Sequence, residues 1–308
     1  MKEPPSGGAK TASGMGPDSK TEEKDVSYKT ILVHVDESRH AGERIRLAAA
    51  VAMTEKAHLI GTATTGASRY IQRNRMLAEL DPHFQTHLDF LRQRARRGLE
   101  EFDGIAQALG LPSFEGNLVD DEAGGGICLQ ARYCDLVVIG QNDPKEPSPV
   151  VMPDFPQYVV LNAGRPVLLT PHACSFSSIG NHVVVAWDAS MAAARAISGA
   201  LPLLRRAQQV DVAIFDLPSP TGNGAMPESP DAGADISRYL QRHGIKVGLQ
   251  KRHAEGDVGH ALLDMATSGN CDLMVMGFYG HTRFREIMLG SVSATVLEAM
   301  RLPVLMSN

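Results

Sequence analysis

The chain is short of what several functional classes require. Four cysteines in 308 residues, Cys128, Cys134, Cys174 and Cys271, make no CxxC pair and no zinc spacing. That leaves buried free thiols in a reducing cytoplasm, not a disulfide framework, as the expectation. No apolar run reaches the length of a membrane span. Positive charge is not in excess: the net charge of −5 gives no general attraction to nucleic acid or anionic membrane. The first 27 residues contain no Leu, Ile or Phe. Such a stretch cannot bury enough surface to fold, so residues 1–27 are expected to be a disordered tail. It also lacks the apolar core and small-residue cleavage site of a signal peptide. Aromatics are few, at 5%, in an otherwise ordinary composition of 43% hydrophobic and 21% charged residues. The length suffices for two domains with a well-buried core in each.

What is present is a sequence written twice. "YKTILVHVDES" (Tyr28–Ser38) answers to "GNHVVVAWDAS" (Gly180–Ser190), an apolar β-branched run followed by Asp, one residue and Ser. "CDLVVIG" answers to "CDLMVMG", and "RPVLLTP" to "LPVLMSN". Cys134 and Cys271 stand 137 residues apart, and so do Arg165 and Leu302. This is a tandem duplication.

Each copy alternates strand and helix. In the second, "HVVVAW" is a continuous apolar strand of the kind a parallel sheet covers on both faces. A helix "SMAAARAISGALPLLRRA", a strand "VDVAIF" and a helix "ADISRYLQRHG" follow, with Gly244 as the expected C-cap. Then come a strand "KVGLQKR" and a helix "DVGHALLDMATSGN" capped by Asp257. The strand "DLMVMG", a helix through "GSVSATVLEAMR" and the strand "PVLMS" close the copy. The fold class is α/β: two tandem doubly wound, Rossmann-like parallel-sheet domains of about five strands each, expected over residues 28–172 and 180–308.

In the first copy "HLDFLRQRARRGLEEF" places Leu88, Leu91, Ala95, Leu99 and Phe102 on one stripe. Arg92, Arg96 and Arg97 fall off it and read as a solvated helix face in an acidic protein. "DDE" at 120–122 reads as a solvated turn. The loop Pro218–Gly233 follows the second copy's second strand at its carboxyl end, the ligand-binding edge of open α/β sheets.

Gly277 ends a strand at the same edge, and "GFYGHTRFREIMLGS" continues with Gly280, Gly290 and Ser291. Phosphate oxygens are held well by main-chain N–H groups at a strand-to-helix turn, where glycine lets the backbone come close. The final helix opens at Gly290-Ser291, so its free N–H groups and a hydroxyl face the same crevice. His281, Arg283 and Arg285 lie between the glycines, either as phosphate partners or as solvating loop residues. No GxxxxGK[ST] and no strand–GxGxxG–helix unit competes elsewhere.

Gly-x2-Gly-x9-Gly-Ser, as Gly277, Gly280, Gly290 and Ser291, resembles the nucleotide-binding motif of the universal stress protein family. "VVVAWDAS" is similar to that family's first strand and "GSVSATVLEAMRLPVLM" to its closing helix and strand. The resemblance covers about residues 28–308 as two copies. It implies ATP, carried with Mg2+, with Asp188 and the main chain near Ala186 at the adenine or ribose. Leu217 would close over the base, and Met276, Gly277, Gly280, Gly290, Ser291 and Val292 would surround ribose and phosphates. Ala186 stands where many family members have proline. Without the family, Asp188 would be a strand-end turn residue.

The 137-residue offset sets Asp143, Pro153 and Asp154 of the first copy against Gly280, Gly290 and Ser291. Two carboxylates facing the phosphate position, and a proline without an N–H, predict a copy that keeps the fold and has lost the site. HExxH, GxSxG and an acidic metal cluster near the glycines are all missing, so no enzyme is expected. A nucleotide-dependent regulatory protein, a weak ATPase or phosphotransfer enzyme using His281, Arg283 or Asp257, and an interaction module with empty sites remain as readings. The strands "PVLLT" and "PVLMS" are expected to pair within one chain as a pseudo-dimer, with a homodimer left open.

Overall fold

A computed structural model describes residues 27–70, 83–148, 150–172, 176, 178–216, 232–253, 256–278 and 291–308. All but the last residue of the expected tail therefore lies outside the described residues, as do most of the loop 218–233 and the stretch 279–290.

The first half runs β1 (Thr30–Val35), α1 (Ala41–Glu55), β2 (His58–Thr64), α2 (Phe84–Ala108), β3 (Phe114–Val119), α3 (Ala123–Gln130), β4 (Leu136–Gly140), α4 (Phe155–Asn162) and β5 (Val167–Thr170). The second runs β6 (His182–Ala186), α5 (Met191–Leu204), β7 (Gln209–Asp216), α6 (Ala232–Arg242), β8 (Val247–His253), α7 (Val258–Ser268), β9 (Leu273–Gly277), α8 (Ser291–Ala299) and β10 (Val304–Ser307). All the strands join one sheet in the order β3-β2-β1-β4-β5-β10-β9-β6-β7-β8. Neighbours within each half are parallel, and the halves meet where β5 and β10 pair antiparallel, Leu168 opposite Leu305.

The apolar runs form strands because they are buried on both faces. Alternate residues of β1 feed opposite layers: Ile31 and Val33 enter one cluster with α1, α2 and α5, and Leu32 enters the other with α3, α4, α7 and α8. Each layer runs continuously across both halves. On α2 the predicted stripe holds, with Leu88, Ala95 and Phe102 buried.

The repeated "CDL" motif has a structural reason. Asp135 Oδ2 accepts the main-chain N–H groups of Lys29 and Thr30 at 2.8 and 3.0 Å. Asp272 accepts those of Gly180, Asn181 and His182 at 3.0–3.1 Å. In each half this carboxylate ties the entry of the first strand to its neighbour. Between the halves, Tyr28 Oη donates to the Gly199 carbonyl at 2.6 Å, and buried Glu55 pairs with Arg206. Gln141 Nε2 donates to the Leu297 and Glu298 carbonyls at the end of α8, at 2.8 and 3.0 Å.

Candidate functional site

In each half the chain leaves the first strand in one direction and later crosses back to its other side. The strand order reverses between β1 and β4, and between β6 and β9. The carboxyl ends beside such a switch point form the crevice where open α/β sheets bind ligands.

In the second half β6 ends at Ala186, one residue past the Val185–Val275 pair with β9. The chain then turns sharply. Asp188 Oδ1 accepts the Ser190 N–H at 3.0 Å, Ala189 adopts φ +60°, and Ser190 Oγ caps α5 by accepting the Ala193 N–H at 3.1 Å. Asp188 is thus an Asx-turn residue, and its carboxylate is also exposed at the crevice mouth.

Gly277 ends β9 against this capped helix. A methyl group on it would lie 2.5 Å from the Ala193 amide nitrogen and 2.8 Å from the Ala192 carbonyl carbon. The glycine lets strand end and helix start touch backbone to backbone, a packing role that phosphate logic alone does not reveal. Met276 is buried beneath it, and Phe278, fully buried, donates its N–H to the Ser307 carbonyl at 2.7 Å. The helix α8 begins at Ser291, and Val292 packs half-buried on the core. Ala186, Asp188, Met276 and Gly277 are therefore brought to one switch point, and Ser291 and Val292 open the helix that returns from it. Leu217, Gly280 and Gly290 lie outside the described residues, as do His281, Arg283 and Arg285.

Asp257 caps α7, accepting the His260 N–H at 2.9 Å, and also accepts the Thr295 hydroxyl of α8 at 3.3 Å. Burial opposes its charge, but these donors outweigh that and hold its pKa below the usual carboxylate value.

The first-half crevice is narrowed from within. Buried Arg44 donates through Nε to the His34 carbonyl at 2.8 Å and pairs with Asp36 at 2.8 Å. A methyl group on Gly140 would lie 2.5 Å from its guanidinium. Burial works against the Asp36 charge, yet Arg44 and the Ser38 donors hold the carboxyl well below its normal range. Around the mouth Arg39 Nη2 donates to Asp143 Oδ2 at 2.6 Å. That hydrogen bond, with the Lys145 N–H, keeps Asp143 ionised far below the usual carboxylate pKa.

This corrects the expected pair of repelling carboxylates. Asp143 is buried and neutralised by Arg39, while Asp154 is exposed at the start of α4, away from the crevice lining. The turn at 120–122 also differs from a solvated one. Asp121 is buried against Arg69 at 2.5 Å, and Asp120 pairs with Arg92 at 2.6 Å. Arg97 pairs with Glu37 at 2.9 Å, so two members of the arginine cluster are partnered within the fold. Burial raises the thiol pKa of Cys134 to about 12 and of Cys271 to about 11, which keeps both as unreactive thiols.

A family model falls on the second half. Residues 181–308 match the model of the universal stress protein family. Universal stress protein YxiE of Bacillus subtilis is 29% identical over 146 residues, 41% of this chain and 97% of its own. Universal stress protein Slr1230 of Synechocystis sp. is 33% identical over 87 residues, a match spanning only 29% of that protein's length. A solved universal stress protein from Archaeoglobus fulgidus DSM 4304 covers 90% of this chain and 97% of its own at 15% identity and a TM-score of 0.66. That likeness is one of fold and takes in both halves. Another, from Archaeoglobus fulgidus and in complex with dAMP, aligns over 46% of this chain at 16% identity and a TM-score of 0.32. No helix among the described residues is long and apolar enough to cross a membrane.

Proposed function

We propose that this protein is a tandem universal stress protein that binds ATP, with Mg2+, in the second-half crevice and acts as a nucleotide-dependent regulator without catalysing a reaction. The observation that carries the reading is the strand-to-helix crossing from Gly277 to Ser291 at the β6/β9 switch point, bearing Gly277, Gly280, Gly290 and Ser291. The start of α8 presents the positive end of a helix dipole, which favours an anion. Asp188, exposed at the crevice mouth, suits a ribose or adenine contact, with Leu217 closing over the base. In the first half the guanidinium of Arg44 occupies the space beneath Gly140, so that copy serves as the blank partner of an intramolecular pseudo-dimer joined through β5 and β10. The free thiols of Cys128 and Cys134, both buried, and of the partly buried Cys271 suit a reducing cytoplasm.

Calorimetric titration of the purified protein with Mg-ATP and Mg-ADP tests this, with Gly290→Asp as control. One site per chain, abolished by that substitution, is expected. Two sites would show that the first half is not blank. Absence of binding would refute the nucleotide reading, and turnover of ATP far above the buffer background would refute the non-catalytic one.

A further inference from the structure

The first-half crevice holds a constellation that the nucleotide reading does not use. Arg39 and His40 precede α1, Asp143 and Glu146 lie in the loop after β4, and His172 follows β5. One donor atom each from His40, Asp143 and Glu146 lies within 4.8 Å of the other two. His40 Nε2 is 3.2 Å from Asp143 Oδ2 and 3.9 Å from Glu146 Oε2. Tetrahedral zinc bound through nitrogen and oxygen at about 2.0–2.2 Å holds its ligand atoms roughly 3.3–3.6 Å apart. The observed separations bracket that spacing.

A positive group already stands at the focus. Besides its bond to Asp143, Arg39 donates through Nε to His40 Nε2 at 3.0 Å and lies 3.3 Å from Glu146 Oε2. The tautomer of His40 that accepts from Arg39 carries a lone pair on Nε2, the form a metal takes, whereas the other donates from Nε2 to Asp143. The Arg39 side chain is 58% exposed and Asp143 only 7%, so the cation is free to swing out while its partner stays.

One further atom points to a ligand: His172 Nδ1 is shielded from solvent and has no hydrogen-bond partner among the described residues, and its ring lies 5.9 Å from that of His40. Glu146 Oε2, also shielded, faces only the Arg39 cation that a metal would replace. The second copy carries Met191 and Ala192 where the first has Arg39 and His40, so the device belongs to the first half alone.

We propose that His40, Asp143 and Glu146 bind a divalent transition-metal ion of the zinc class, with Arg39 holding the place of the metal and His172 beside the open coordination position. A mixed imidazole–carboxylate set suits zinc, whereas magnesium and calcium favour oxygen ligands alone.

The test titrates Zn2+ into the full-length, chelator-stripped protein by calorimetry, with a chromophoric chelator as competitor. One site is expected that survives excess Mg2+ and the Gly290→Asp substitution. His40→Ala weakens it at least about tenfold. Arg39→Ala tightens it by removing the competing cation. Because Asp143→Asn removes a buried charge and endangers the loop, the half-exposed His40 is the primary variant, with circular dichroism checking its fold. Absence of binding, equal binding by His40→Ala, or weaker binding by Arg39→Ala overturns the proposal and leaves an ion-pair network only.

Discussion

Acid should destabilise this fold through His34 before its carboxylates titrate. The ring is buried at the end of β1, 4.7 Å from the ring of Phe155, with Nδ1 3.5 Å from Asp36 and making no hydrogen bond. Burial pushes its pKa down to about 4, Asp36 opposing and Arg44 adding to the effect. In the unfolded chain histidine titrates near 6.5. Between these values the unfolded chain binds more protons than the folded one, so stability falls as pH falls through the window. The full gap is worth about 3 kcal/mol, of which about 2 kcal/mol is lost between pH 7 and pH 5. Urea unfolding at the two pH values, for the native sequence and for His34→Gln, isolates the residue. The native protein should lose about 2 kcal/mol more than the variant. Equal losses, or a ring found by NMR to titrate near 6.5, would refute the reasoning.

Two further substitutions separate packing from ligand binding. Gly277→Ala drives a methyl group into the Ala192 and Ala193 backbone, which cannot rotate away as a side chain would. A loss of roughly 1–3 kcal/mol is expected, read as a lower Tm without nucleotide; an unchanged Tm would return the glycine to a purely ligand-facing role. Asp272→Ala strips the acceptor from three main-chain N–H groups and Asp135→Ala from two. Each should cost about 1–3 kcal/mol, with amide exchange quickened at the entry of β6 or β1 respectively. Unaltered exchange there would show that the carboxylates do not hold the strands.

The architecture was legible because its signals are local or periodic. Parallel strands covered on both faces read as unbroken apolar runs, and the 137-residue offset aligned the closing strands before any pairing was known. Side chains that act across long separations were not legible. The aspartate of "CDL" reaches main-chain groups 90–106 residues away, and nothing in its own surroundings marks it as a clamp. Gln141 likewise bonds the end of α8, 156 residues on. The local sequence set the carboxylates of Asp143 and Asp154 against a phosphate, because the Arg39 that neutralises Asp143 comes from 104 residues earlier. For the candidate site, the strand ends and the turn at Asp188 were readable from pattern, while the backbone contact at Gly277 was not.

The difference between the two crevices comes down to a few side chains on a shared backbone. Matching Tyr28–Ser38 to Gly180–Ser190 sets Arg44 against Ala196, and Arg39 and His40 against Met191 and Ala192. Where the first copy sends a guanidinium beneath Gly140, the second has a fully buried alanine and leaves the helix start to meet Gly277 directly. The second crevice carries no guanidinium at the place Arg44 takes in the first. An anion entering the first would have to displace Asp36 from Arg44 or Asp143 from Arg39. Building an anion site into the first half therefore demands more than glycines in its loop. Arg44 must also go, and removing it alone would leave Asp36 and His34 facing each other without their shared cation.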